Sequence, residues 1–251
     1  MGLSAVLIVK NEEKNIEACL KTLGFADEIV VVDSGSSDRT IELAKLAGTS
    51  KVVSRKFDNF AAQKNYAVGL AAQDWILSID ADERVGGDLQ KEILDIIHQK
   101  GTMEAYAVHR RTNLFGRDFK AGGLQDDAPV RLFRRGKAVF ENPVHEALKV
   151  DGRTGRLKSE LYHVSFQTVR GHLARLQFYT GVEAENQKES LKISVFGHFF
   201  IRPFYRFFSI YVLKQGFCDG IEGFFYALLS GYYEWVRWMK IWEKGKSREG
   251  A

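Results

Sequence analysis

Asp80 and Asp82 are the residues whose type and spacing most directly imply chemistry. They stand in the stretch WILSIDADER, residues 75–84, separated only by the small Ala81. Two carboxylates so close can turn toward one hard divalent cation, and Mg²⁺ or Mn²⁺ takes one or two carboxylates together with phosphate oxygens and water. The chemistry implied is the holding of a diphosphate through a metal; a solvated acidic turn at a strand end is the plain alternative. Residues 75–79 form an apolar run of strand length. Both aspartates would therefore emerge at the carboxyl end of a strand, where ligands of open α/β sheets bind.

The elements that must position this turn can be read from the flanking sequence. Residues 4–9 form an apolar strand, followed by Lys10 and Asn11 and then by Ile16, Cys19, Leu20 and Leu23 at helical spacing, up to Gly24. Asn11 suits a helix N-cap, with Glu12 and Glu13 in the first turn, where the helix dipole favours anions. A second strand at 28–32 ends at Asp33 and runs through SGSSD into a helix to about Ala47. That turn lacks both G-x-G-x-x-G and GK[ST], so a dinucleotide fingerprint and a P-loop are excluded. A strand at 51–54 and a helix carrying Gln63, Lys64 and Asn65 precede the aspartates, and a helix with Leu89, Ile93, Ile96 and Ile97 follows them. This alternation predicts an α/β, doubly wound, largely parallel sheet with right-handed crossovers. Short strands at 105–111, 130–135 and 138–140 then read as an antiparallel edge. The loop GGLQDDAP and the Gly/Arg/Lys stretch 152–158 read as long loops bordering a site.

A chain of 251 residues with net charge +4 is long enough for one large domain plus an appendage, and its charge is too small to argue for nucleic acid. Cys19 and Cys218 have no metal-ligand spacing and fit a reducing cytoplasmic compartment. The opening MGLSAVLIVK reads as a first strand and not as a basic leader or lipidation signal, an expectation against secretion.

The series IVKNEEKNIEACL, VVDSGSSDRT, AAQKNYA and the DAD turn, in that order, resembles the family 2 inverting glycosyltransferases. With RLFRRGKAVFENPVHEAL and YHVS added, it is most similar to the lipopolysaccharide core β-glucosyltransferase branch. The resemblance implies a GT-A type fold, with a catalytic domain over residues 1–165 and a helical, aromatic-rich appendage over 166–251. It implies an NDP-sugar donor, UDP-glucose in this branch, and a divalent metal at Asp82 with Asp80 and His145. His163 is a second candidate for the late histidine. Val9, Asn11, Glu12, Asp33, Gly35, Ser36, Lys64, Asp80, Ala81 and Asp82 become the nucleotide-sugar set. Asp33 can accept a hydrogen bond from a uracil imide or simply start an Asx turn, and Lys64 can balance diphosphate charge or sit on a solvated face. Inverting transfer needs a base for the acceptor hydroxyl. Asp127 is the first candidate, with Asp126 beside it and Glu146 competing; the pair departs from the family's Glu-Asp.

From residue 190 onward lie 17 of the 31 aromatic residues, which marks the tail as a separate kind of surface. Phe200, Phe204, Phe207, Phe208 and Tyr211 share one helical stripe, and Phe217, Ile221, Phe224, Phe225 and Leu228 another. Charges interrupt both before the length of about 20 residues that a bilayer demands. Trp235, Trp238 and Trp242 with Arg237, Lys240 and Lys244 read as an interfacial belt with basic anchors. The expectation is a peripheral enzyme on the inner face of the cytoplasmic membrane acting on a lipid-linked glycan, with a homo-oligomer interface as the other use of the stripes. A nucleotidyltransferase and a non-catalytic scaffold are the competing functions. Nucleic-acid binding has only Arg131, Arg134, Arg135 and Lys137 behind it.

Overall fold

The computed structural model of the chain describes residues 1–99, 101–142, 147–186 and 196–249. The chain divides into two compact units, Met1–Arg111 with Asp127–Val164, and Thr112–Asp126 with Ser165–Ala251.

In the first unit, β1 (Leu3–Val9) lies parallel between β2 (Glu28–Asp33) and β4 (Trp75–Ser78), and β3 (Lys51–Ser54) adds parallel to β2. The crossovers are α1 (Ile16–Lys21), α2 (Thr40–Leu46) and α3 (Phe60–Leu70). Strand order therefore reverses between β1 and β4, the switch point at whose carboxyl ends ligands of such sheets bind. All six residues of β2 are buried, as expected of a strand covered on both faces. Along β1 the side chains alternate between two cores. Leu3, Ala5 and Leu7 pack with Ile16, Leu20, Ile93 and Ile97, while Val6 packs with Val30, Ala67, Ile76 and Phe133. Each fully buried aliphatic side chain contributes roughly 1.5–3 kcal/mol, so these two layers carry the unit.

Beyond β4 the sheet continues through β8 (Val130–Arg134), β6 (Ala105–Leu114), β11 (Thr154–Val164) and β5 (Glu83–Val85), with β8 antiparallel to both β4 and β6 and β5 antiparallel to β11, and α4 (Gly87–His98) follows β5. The strands β9 (Ala138–Glu141) and β10 (Ala147–Val150) pair separately. The expected architecture, a doubly wound parallel half with antiparallel strands and C-terminal helices, is present. Two local expectations are corrected. Residues 152–158 do not form a loop, because most of them open the long strand β11, whose inward Leu157 and Leu161 join the core. Asn11 does not cap α1: it takes φ 56°, and the carbonyl of Glu12 accepts from Asn15 and Ile16 at 2.9 and 2.8 Å. An asparagine tolerates the left-handed region, which frees its side chain for another task.

In the second unit the end of β6 pairs with β7 (Arg117–Asp118). The helices are α5 (Val169–Asn186), a π-helical turn Phe196–Ile201 leading into α6 (Arg202–Phe208) and a further π-helical turn Ser209–Leu213, and α7 (Gly220–Glu249). Close helix approach depends on glycine: a Cβ on Gly223 would lie 1.9 Å from the carbonyl oxygen of Gly216, and one on Gly231 would lie 2.9 Å from that of Pro203. Asp219, 1% exposed, accepts from the amides of Lys120 and Ala121 at 2.9 Å each and so anchors that loop.

The basic residues expected to be lipid anchors have another use. Lys240 Nζ donates to the Gln177 carbonyl and Lys244 Nζ to the Ala184 carbonyl, at 2.6 and 2.9 Å, while Arg237 pairs with Glu183 at 2.6 Å. Trp238 is buried, and Trp235 Nε1 donates to the Phe199 carbonyl at 2.5 Å. These groups lock α7 to its neighbours and do not face outward as a belt. Glu183, which also accepts from Tyr233 Oη at 2.5 Å, is the centre of that lock. Glu183→Gln should lower stability by about 2 kcal/mol, the range of a hydrogen bond to a charged group, in urea unfolding followed by far-ultraviolet dichroism. An unchanged midpoint would contradict this assignment.

Candidate active site

Two loops at the carboxyl ends of β1 and β2 are tied together by the side chains of Asn11, Ser36 and Thr40. The Asn11 amide donates to Ser36 Oγ at 2.9 Å, its Oδ1 accepts from the Ser37 amide at 2.8 Å, and the Glu12 amide donates to Thr40 Oγ1 at 2.7 Å. Asp33 is buried at 1% exposure, and its carboxylate accepts from the amides of Gly35 at 2.9 Å and Ser36 at 3.1 Å. This is the Asx turn that a strand-end aspartate favours. It shapes the loop in which Gly35 adopts φ 86°. Val9, Asn11, Glu12, Asp33, Gly35 and Ser36 thus form one structured rim.

Lys64 is not on a solvated face. It is 6% exposed, and its ammonium sits 3.4 Å from Asp80 Oδ1 and over the Phe140 ring at 5.4 Å. Gln63, fully buried, donates to Ser34 Oγ at 3.0 Å and thereby joins α3 to the β2 loop.

The aspartate turn lies within a dense set of charges. Arg131, 5% exposed on β8, donates through Nη2 to Asp80 Oδ2 and to Glu83 Oε1, both at 2.5 Å. Glu83 is fully buried, and its Oε2 accepts from the Asp80 amide at 2.9 Å, which closes the turn on itself. Arg110 Nη1 reaches Glu83 Oε1 at 3.3 Å, and its Nε donates to Asp127 Oδ2 at 2.7 Å. Arg84 braces the turn from outside by donating to the Ala81 carbonyl at 2.7 Å and the Asn15 carbonyl at 3.1 Å. Three carboxylates, of Asp80, Glu83 and Asp127, are thereby matched by three cations, of Lys64, Arg131 and Arg110. Burial by itself would raise the Asp80 carboxyl pKa, but the charges of Arg131 and Lys64 outweigh it and hold the group well below the usual carboxylate range. Arg131 is affected in the opposite sense: burial acts to lower its pKa, and the Asp80 and Glu83 charges more than offset this and raise it.

Asp82, on the same turn, is paired with a histidine. At 7% exposure it is not a surface group, and its Oδ2 lies 3.4 Å from His163 Nε2. The neighbour arrives through the sheet. In the β5–β11 pairing His163 is opposite Glu83, and the Val164 amide donates to the Asp82 carbonyl at 2.8 Å. Asp127 lies in the first unit and Asp126 in the second. His145 and Glu146 lie outside the described residues. The described residues hold no cluster of three or more potential metal ligands. The Asp82 carboxylate suits Mg²⁺ or Mn²⁺ when phosphate oxygens and water complete the shell, so the donor chemistry fits.

Glu83, Arg84 and Arg110 carry no role that their sequence positions alone suggest, and Arg131 belongs to this network and not to a nucleic-acid surface. The available signal was Arg131 between the apolar Val130 and Leu132: an arginine inside a buried strand needs an acidic partner, and DADER supplies it. The supposed nucleic-acid cluster is in fact divided, since Arg134 lies over the Trp75 ring at 4.7 Å and pairs with Glu104 at 3.4 Å.

Charged strand ends at the switch point of a doubly wound sheet define the class in outline, an α/β domain with polar and charged side chains gathered where ligands of such sheets bind. The model of the family described as Glycosyl transferase family 2 matches residues 4–145, and the chain belongs to that family. It is a glycosyltransferase, which sets aside the nucleotidyltransferase and scaffold readings. Among its relatives is the lipopolysaccharide core biosynthesis glycosyltransferase LpsC of Rhizobium meliloti (strain 1021), 28% identical over 97% of this chain and 93% of that protein. An uncharacterized glycosyltransferase of Rickettsia conorii is 28% identical over 96% of this chain and 90% of its own length. Among solved structures, S. aureus TarS 1–349 superposes with a TM-score of 0.48 at 16% identity, covering 100% of this chain and 92% of that one.

The network yields a pH-dependent prediction. Because the folded-state pKa of Asp80 is lowered, its contribution to stability is fully present above the unfolded value of about 4 and is lost as pH falls toward the folded value. Asp80→Asn should cost about 2 kcal/mol at pH 7, below the usual cost of breaking a buried pair because the side chain retains 32% exposure. The gap between wild type and variant, measured by urea unfolding, should stay constant above about pH 5 and close in stronger acid. A gap that widens on acidification would refute the assignment.

Proposed function

We propose that this enzyme is an inverting hexosyltransferase that moves glucose from UDP-glucose onto the lipopolysaccharide core or another lipid-linked envelope glycan, at the cytoplasmic face of the membrane. The observation that carries this reading is the meeting of three motifs at one strand end. Asp82 lies 3.4 Å from His163 of YHVS, and Asp80 is held by Arg131 of RLFRRG. The similarity to LpsC over nearly the whole chain, together with the later motifs, supports the lipopolysaccharide acceptor.

In this reading the rim of Val9, Asn11, Glu12, Asp33, Gly35 and Ser36 takes the nucleoside, and Asp33 retains lone pairs for the base beyond those its own loop uses. Asp80 and Ala81 shape the floor under the sugar-diphosphate, and Lys64 adds positive charge near it. Asp82 would hold a divalent cation, with His163 beside it and His145 as a further candidate ligand. A bound Mg²⁺ or Mn²⁺ would supply Lewis-acid stabilisation of the departing diphosphate.

The acceptor hydroxyl must lose a proton as its oxygen attacks the anomeric carbon, and Asp127 is the proposed base, ahead of Asp126 and Glu146. Both guanidinium hydrogen bonds from Arg110 to the Asp127 carboxylate fall on Oδ2, so Oδ1 is the oxygen proposed to take the proton. Arg110 acts as a positioning residue: it fixes the carboxylate and, through Glu83, couples it to the turn that carries Asp82.

Chelation with EDTA should stop transfer, and Mn²⁺ or Mg²⁺ should restore it. Asp82→Asn should abolish metal-dependent UDP binding in titration calorimetry. Activity that survives chelation would overturn the metal role. Asp127→Asn should lower transfer by a factor on the order of 10² or more with little change in donor affinity, since a base for the acceptor acts only in the transition state. A severe loss in Glu146→Gln alongside an active Asp127→Asn would move the base to Glu146.

A further inference from the structure

The second unit exposes aromatic side chains on a scale that its own packing does not explain. Phe196, Phe200, Phe204, Tyr205, Phe208 and Leu213 are each between 48% and 69% exposed. On α7 a second stripe runs through Ile221, Phe225, Leu228, Tyr232, Met239 and Trp242, all between 36% and 57% exposed. Its spacings of three, four and seven residues keep it on one side of the helix, along roughly 30 Å of axis. Phe204 packs edge-on against Trp235 at 6.0 Å while remaining 60% exposed, so the stripes adjoin there. Patches of this extent mark an interaction surface. No helix of the described residues is long and apolar enough to cross a membrane.

Charge selects the occupant. Residues 196–214 contain Arg202, Arg206 and Lys214 and not one Asp or Glu, and all three cations are exposed. A second copy seated on this segment in two-fold fashion would set the same cations against one another. A lipid surface carrying negative headgroups instead matches both features, since it takes phenyl and indole rings at the acyl boundary and cations at the phosphate level. We infer that residues 196–214 and the exposed stripe of α7 form an interfacial surface for a bilayer containing anionic lipid. The inference rests on the reading above, in which the acceptor is lipid-linked. It assigns anchoring to Arg206, Lys214 and the exposed phenylalanines, and not to Arg237, Lys240 and Lys244, which are engaged within the unit.

The test is flotation of the full chain with vesicles of phosphatidylcholine alone or mixed equally with phosphatidylglycerol, at low salt, with donor hydrolysis measured on the same preparations. Wild type should float with the anionic vesicles. The double substitution Arg206→Gln with Lys214→Gln should weaken that binding roughly fivefold for each cation removed, with the difference fading at high salt. Phe208→Ser with Leu228→Ser should weaken binding to anionic vesicles at every salt concentration. Wild type that fails to float, or that floats equally on both vesicles and is indifferent to the double cation change, overturns the proposal; failure to float combined with a dimer in sedimentation velocity would assign the face to a second copy. Donor hydrolysis separates the two readings, because its loss in a protein that still floats defeats the transferase mechanism and leaves the surface standing.

Discussion

The guanidinium of Arg131, buried between the carboxylates of Asp80 and Glu83, is the constraint on which the candidate site depends. At 2.5 Å from both, it holds together two acids that would otherwise repel each other in a region with little water. Breaking such a buried pair leaves an uncompensated charge, at a cost of about 3–5 kcal/mol, whereas the intact pair adds little net stability. Its value lies in geometry. With Asp80 and Glu83 engaged, the turn can bring Asp82 beside His163. Arg110 then extends the same network to Asp127, so one set of charges couples the proposed donor side to the proposed acceptor side.

The sheet makes this arrangement possible by changing character at β4. Its parallel half supplies loops at the carboxyl ends of β1 and β2 that are joined by Asn11, Ser36, Ser37 and Thr40. Its antiparallel half returns later chain segments to the same place: β8 brings Arg131, and β11 brings His163. Residues far apart in sequence therefore converge without a long ordered loop. The backbone bond from Val164 to Asp82 fixes that convergence at 2.8 Å.

Much of this was legible in the sequence for physical reasons. The strands of the parallel half are continuous apolar runs and the helices have regular periodicity, so β1 to β4 and α1 to α4 were identified in order. The aspartate turn was recognised because two acids at a strand end have few structural uses. What escaped depended on partners distant in sequence. Glu83–Val85 is too short to register as a strand by itself, and β11 opens with glycine and basic residues that mimic a loop; the pairing of these two strands places His163. Asn11 was assigned to a cap because local rules favour it there, whereas its φ of 56° serves a contact with the neighbouring loop. Likewise Arg237, Lys240 and Lys244 looked like surface cations until α5 supplied their carbonyl and carboxylate partners.

The central claim, that Arg131 and the acids around it act as a single unit fixing the aspartate turn, is tested most directly by a double-mutant cycle. Arg131→Met, Glu83→Gln and the double variant would be compared with wild type by urea unfolding. Groups in one buried network should couple by roughly 2 kcal/mol or more, with the double variant more stable than the two single losses together imply. Losses that simply add, within about 0.5 kcal/mol, would mean that Arg131 and Glu83 act independently and would contradict the account.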